Sequence, residues 1–184
     1  MKHFIGLLLL IPLLGLEGEK LVKTRISDNI SIMLPKDFKP MNEFDQQDRM
    51  YSYRKALAVY TSPDRLVEFG ANRSFTQWAA SDIELAQDFY KSTILSLYDE
   101  VEFITNEVQT IDGRKFAVFE FVGEVRDGYR TDFVVSKKVL KKYVYIQYTI
   151  YQKNSLVFNF TSPALRKGQW QATARKIMHS IKIK

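Results

Sequence analysis

The spacing of hydrophobic residues changes period several times along the chain, and each change predicts an element. Residues 29–34 alternate, with Ile30, Ile32 and Leu34 on one side, and Pro35 ends the run. Such alternation predicts a half-buried strand. Residues 40–50 are polar (Asn42, Asp45, Gln46, Gln47, Asp48) and predict a loop. Residues 56–61 and 66–73 predict strands around a Ser62-Pro63-Asp64-Arg65 turn, where proline suits the second position. Ser81-Asp82-Ile83-Glu84 has the form of a capping box, and Ile83, Ala86, Tyr90, Ile94, Leu97 and Val101 follow at helical spacing. A second helix is expected after Ser162-Pro163, with a stripe of Trp170, Ala174, Ile177 and Ile181.

Between the two helical stripes the pattern is that of a strand meander. Asp112-Gly113 and Asp127-Gly128 are strong two-residue hairpin signals. The first sets Phe119 opposite Asn106 and Phe121 opposite Ile104; the second sets Val122 opposite Phe133. A third turn at Gln152-Lys153-Asn154 sets Gln147 opposite Asn159. With an even-length loop over residues 137–142, one face carries Phe116, Val118, Val122, Phe133, Val135, Val144, Ile146, Tyr148, Ile150, Leu156, Phe158 and Phe160. The other carries Ala117, Phe119, Phe121, Val134, Tyr143, Tyr145, Gln147, Val157 and Asn159. Neither face is polar enough to stay wet, and two amphipathic helices are available as cover. The expected class is α+β: an α/β/α sandwich on a largely antiparallel central sheet with helices on both faces.

The start of the chain is an address. Met1-Lys2-His3 precedes an apolar run from Phe4 to Leu14, with Gly15 and Gly18 beyond it. This is the layout of a secretory signal peptide, and the run is short of the ~20 residues needed to span a bilayer. The expected division is a signal peptide over residues 1–18 and one domain over 19–184, exported to the periplasm or beyond the cell. Removing residues 1–18 takes away Lys2 and Glu17, so the charge is unchanged.

Composition narrows the chemistry. The 184 residues include no cysteine and two histidines, and carry a net charge of +6. Disulfides, thiolate nucleophiles and cysteine metal sites are excluded, so an exported domain must hold by packing alone. The three Asn-x-Ser/Thr triplets, at Asn29, Asn72 and Asn159, read as chance. The charge is a mild bias that does not suggest nucleic acid.

Three stretches carry a family resemblance. Ile30-Ser31-Ile32-Met33-Leu34-Pro35-Lys36-Asp37-Phe38 opens the chain, and Ile111-Asp112-Gly113-Arg114-Lys115-Phe116-Ala117 forms the middle hairpin. The tail runs Leu156-Val157-Phe158-Asn159-Phe160-Thr161-Ser162-Pro163, then Trp170, then Ile177-Met178-His179-Ser180-Ile181-Lys182. In that order they resemble the PsbP-like superfamily, which includes DcrB-type and Ran-binding Mog-type proteins. The resemblance implies an α/β/α sandwich and a protein-binding role, with photosystem subunits, a small GTPase or secretion effectors as partners. It supplies no catalytic residue, and no cofactor is expected.

Individual residues add little catalysis. His179 stands near the end of the last helix, where a charge or hydrogen bond is its natural role. Asp45 with Asp48, and Asp99 with Glu100 and Glu102, lack the spacing of a calcium loop. Glu120 lies in a Phe-rich strand and calls for an arginine partner or an edge position.

Two features invite a binding role. Lys137, Lys138, Lys141 and Lys142 gather where a hairpin tip is expected, a contact for an acidic protein or anionic lipid. Tyr143, Tyr145, Gln147, Thr149 and Tyr151 share one side of a strand with Asn159 opposite, a candidate ligand face if the helices leave it open. If they cover it, these are core tyrosines with hydroxyls satisfied at the rim. The expected function is an exported, non-enzymatic, monomeric module that binds a protein or a membrane-associated complex. The alternative is a carrier of a small hydrophobic ligand in a pocket on the tyrosine face.

Overall fold

A computed structural model describes residues 19–42, 56–131 and 134–184. The expected leader (1–18), most of the expected 40–50 loop with Asp45 and Asp48, and Phe133 lie outside the described residues. The strands are β1 (Leu21–Arg25), β2 (Ile30–Pro35), β3 (Lys39–Pro40), β4 (Ala58–Thr61), β5 (Glu68–Gln77), β6 (Glu100–Ile111), β7 (Arg114–Thr131), β8 (Val134–Tyr151), β9 (Asn154–Pro163) and β10 (Lys182–Ile183). The helices are α1 (Ile83–Leu97) and α2 (Lys167–His179). A seven-stranded sheet has the order β3-β4-β5-β9-β8-β7-β6, and a three-stranded sheet has the order β1-β2-β10. Every described pairing is antiparallel.

The large sheet is covered on both faces, as its two-sided apolar pattern demands. On one face α2 and the small sheet bury Phe116, Val118, Tyr143, Tyr145, Leu156, Phe158 and Phe160 against Ile32, Leu34, Trp170 and Ile177. On the other, α1 lays Ile83, Ala86, Tyr90 and Ile94 over Ala117, Phe119, Phe121, Val144 and Tyr148. This is the α/β/α sandwich of the α+β class.

The helix starts differ from their sequence signals. Asp82 occupies the N-cap of α1 and its side chain makes no cap bond; it folds back to accept from the Ala79 amide at 3.0 Å. The capping box therefore does not form. Strand β9 runs through Pro163, and a short 3₁₀ turn, Ala164–Arg166, separates it from α2. The stripe of α2 is otherwise as expected, with Met178 added to it and Ile181 buried just beyond the helix end.

The meander is corrected in two places. Asp112-Gly113 does turn, with both residues at positive φ, and Asn106 pairs Phe119. A bulge at Ile104 then puts Phe103 opposite Phe121. Asp127-Gly128 does not turn. β7 continues through it, pairing Asp127 with Lys138 and Gly128 with Lys137, and the chain reverses between Thr131 and Val134. Val122 consequently faces Tyr143, and the odd positions of β8 share a face with the even positions of β7. Tyr143 and Tyr145 therefore lie with Phe116 and Val118, while Val144 and Tyr148 lie with Ala117 and Phe119. A one-residue change of register exchanges the two faces of a strand.

Candidate functional site

β7 and β8 are each 18 residues long, while their neighbours stop early. β6 pairs with β7 only as far as Glu124, and β9 pairs with β8 only as far as Lys142. Beyond those points seven residue pairs, from Val125–Leu140 to Thr131–Val134, have no other strand beside them among the described residues. At ~3.4 Å per residue this ribbon projects roughly 24 Å past the sheet. A two-stranded ribbon is marginally stable alone and offers backbone donors and acceptors along both edges. Val139 and Leu140, consecutive on β8 and therefore on opposite sides of the ribbon, are 46% and 40% exposed.

The root of this arm is held by charge. Glu124 is buried and sits directly opposite Lys141, whose Nζ donates to Oε2 at 2.8 Å. Arg126 donates through Nε to Glu124 Oε1 at 2.8 Å and pairs with Glu100, while its amide donates to Asp99 Oδ2 at 2.7 Å. The hydrogen bonds from Lys141 and Arg126 hold the Glu124 carboxyl below the usual carboxylate range. The same contacts with Glu124 raise Lys141 and Arg126. Glu100, Val101, Glu102, Val122, Glu124 and Lys141 line a shallow open depression of about 360 Å³ at this root. Asp99 and Glu100 are thus engaged with Arg126. Among the described residues no three His, Asp or Glu side chains are placed to hold a metal ion.

The four lysines are not at a tip. Lys137 and Lys138 occupy the β8 side of the arm at positions opposite Gly128 and Asp127; their side chains lie outside the described set. Lys141 and Lys142 stand at the root, and Lys141 is committed to Glu124. The tyrosine set divides as well. Tyr143, Tyr145, Gln147 and Thr149 are buried on the α2 side, and Gln147 Nε2 donates to the Met178 carbonyl at 3.0 Å. Tyr151 is at the rim, where its hydroxyl donates to the Lys184 carbonyl at 3.1 Å and accepts from Asn29 Nδ2 at 3.3 Å. Asn159 pairs with Ile146, since the turn consists of Gln152 and Lys153 alone. It leaves the tyrosine face for the opposite one.

Glu120 has its arginine. It is 1% exposed, and Oε2 accepts from Arg175 Nε at 3.0 Å. Gln171 Nε2 at 2.6 Å and the Tyr143 hydroxyl at 3.0 Å both donate to Oε1. Burial is the main reason the Tyr143 and Tyr145 hydroxyls are raised far above the ordinary phenol range, with Glu120 adding to it. Gln171, Arg175 and His179 recur every four residues, so one flank of α2 faces Thr105 and Gln109 of β6 across this carboxylate. His179 Nε2 lies 3.1 Å from Gln109 Oε1, at the last position of the helix. These contacts tie a helix to the sheet edge and leave no oxygen of Glu120 unpartnered.

The exposed apolar pair Val139–Leu140 and the Glu124–Arg126 root had no separate signal in the sequence. The usable one was the length of unbroken strand pattern on both sides of residues 132–133.

No family model matches the chain, and no curated protein matches it by sequence. Solved structures do match by shape. The cyanobacterial PsbP protein CyanoP of Synechocystis sp. PCC 6803 aligns over 92% of this chain and 96% of its own, with a TM-score of 0.58 at 13% identity. The chain has the PsbP-like fold. LpqN of Mycobacterium tuberculosis, described as involved in cell envelope biogenesis, aligns over 90% of this chain and 91% of its own at TM-score 0.52 and 12% identity. The Ran-binding protein Mog1p of Saccharomyces cerevisiae aligns over 90% and 96% at TM-score 0.51 and 10% identity. PsbP-like architecture is therefore common to all three comparisons, and it extends across nearly the whole described chain. No described helix is long and apolar enough to cross a membrane.

Proposed function

We infer that this chain is an exported, non-enzymatic binding module that engages an acidic protein surface with the β7–β8 arm. The observation that carries the reading is the arm itself: seven paired residues on each strand with no neighbouring strand among the described residues, presenting Val139 and Leu140 to solvent. An unsupported ribbon with exposed apolar side chains is better stabilised against a partner than in water. Residues 125–142 contain six basic residues and two acidic ones, which favours a partner of negative charge. Export rests on the leader-like residues 1–18. That the similarly folded Mog1p is a Ran-binding protein is in keeping with a binding role.

The non-enzymatic reading is supported by the saturation of Glu120, whose oxygens are occupied by Arg175, Gln171 and Tyr143. The carrier alternative loses its support because α2 fills the side of β8 where Tyr143, Tyr145 and Gln147 point. A photo-cross-linking residue at position 139 or 140 tests the proposal in the native envelope, with position 85 on α1, which is also exposed, as control. Discrete protein adducts from 139 and 140 but not from 85 are expected. Reversing Lys137, Lys138 and Lys142, while leaving Lys141 to Glu124, should abolish those adducts. Equal adducts from all three positions, or adducts indifferent to the reversal, would overturn it.

A further inference from the structure

The arm is at one end of β8; the other end carries a second exposed surface of different chemistry. The small sheet buries Ile30, Ile32 and Leu34 of β2 against the core, so the alternate positions of its strands face away. Arg25 of β1 and Lys182 of β10 are both register partners of Ser31. Arg25, Ser31 and Lys182 therefore form one row across the three strands. Lys23 lies two residues from Arg25 opposite Met33, and Lys184 lies two residues beyond Lys182 with its amide bonded to the Asn29 carbonyl. Lys23, Arg25, Lys182 and Lys184 are all exposed. At ~4.8 Å between strands, the β1 and β10 backbones stand roughly 10 Å apart on either side of Ser31. Among the described acids, Asp28 is the one beside this row, and it pairs with Arg25.

We propose that this outward face of the small sheet docks on an anionic membrane surface. The inference goes beyond the arm's role and does not depend on it. An array of four cations, one of them paired with Asp28, matches the negative potential of a lipid surface, to which each Lys or Arg contributes additively. The Tyr151 hydroxyl bonds to the Lys184 carbonyl and to Asn29, which fixes the small sheet over the end of β8 remote from the arm. A chain docked this way keeps its arm clear of the lipid.

The test is sedimentation of the full-length chain with vesicles of phosphatidylcholine alone and with vesicles that also contain phosphatidylglycerol. The zwitterionic vesicles measure binding that does not need the charge of the face; the excess on anionic vesicles measures the face. We expect a clear excess that shrinks as salt is raised. Each of Lys23→Gln, Arg25→Gln, Lys182→Gln and Lys184→Gln should lower it roughly fivefold at low ionic strength. Asp28→Asn, which removes the opposing charge, should raise it by about the same factor. The variant with Lys137, Lys138 and Lys142 changed to Gln should keep the excess. No excess on anionic lipid, an excess that survives the fourfold change, or equal loss in the arm variant would overturn the proposal. So would a discrete protein adduct formed without lipid by a cross-linker at position 182, which would assign the face to an acidic protein.

Discussion

Glu120 and Arg175 have unequal surroundings, so they should not be equally sensitive to substitution. The carboxylate is buried, whereas the Arg175 side chain is 46% exposed and can be rehydrated when its partner is lost. Arg175→Met strands a buried charge and should cost roughly 3 kcal/mol, while Glu120→Gln should cost nearer 1 kcal/mol. Urea unfolding of the two variants checks the order; equal costs would contradict the burial argument. Gly123 is the second residue whose role is specific. A Cβ there would stand 2.5 Å from Cδ1 of Tyr98, whose ring packs edge-on against Phe121. Gly123→Ala should cost about 1–3 kcal/mol through overpacking. The loss should shrink when combined with Tyr98→Leu, a coupling that a double-mutant cycle measures.

At the scale of elements, two carboxylates make connections that depend on pH. Asp64, in the turn between β4 and β5, accepts from the Ser62 hydroxyl at 2.6 Å and the Leu66 amide at 3.1 Å, and pairs with Arg166 before α2. The Ser62 hydrogen bond, then Arg166, lower its carboxyl from 3.8 to about 2. A carboxyl lowered on folding stabilises the fold above its unfolded value, and the contribution fades as pH falls from about 4 towards 2. Asp64→Asn should therefore melt below the parent at neutral pH and converge with it at pH about 2. Glu124 is lowered in the same direction by Lys141 and Arg126, so the arm's root should also weaken on acidification. Legibility in the sequence follows the same scale. The two helices and the Asp112-Gly113 hairpin were readable because stripe and turn chemistry are local. Asp127-Gly128 carries an equally strong local signal and is overridden, because pairing Val125 with Leu140 through Thr131 with Val134 requires the ladder to continue through it. That single displaced turn exchanged the faces of β8 and moved Tyr143 and Tyr145 from the Phe119 side to the Phe116 side; of their two open readings, the covered one holds.

For the whole molecule, what matters is which parts of the long hairpin are supported. Between residues 114–124 and 142–151 it lies inside a seven-stranded sheet, flanked by β6 and β9 and covered by α1 on one side and by α2 with the small sheet on the other. Beyond that it is a two-stranded ribbon with no further strand beside it among the described residues, and its apolar positions were not separable by sequence from those of the core because the alternation is the same in both. Val139 and Leu140, the ribbon's exposed apolar residues among those described, belong to neither buried cluster. On the proposed function, fold and binding fall to different parts of one hairpin. Shortening the arm tests this most directly. Residues 127–138 are replaced by Asn-Gly, which joins Arg126 to its register partner Val139 and leaves Glu124, Arg126 and Lys141 in place. Thermal unfolding and affinity capture from the native envelope are then compared with the intact chain. The account predicts an unfolding temperature within a few degrees of the parent and loss of the proteins that cross-link from position 139. Undiminished capture of those proteins by a folded, shortened chain would contradict it.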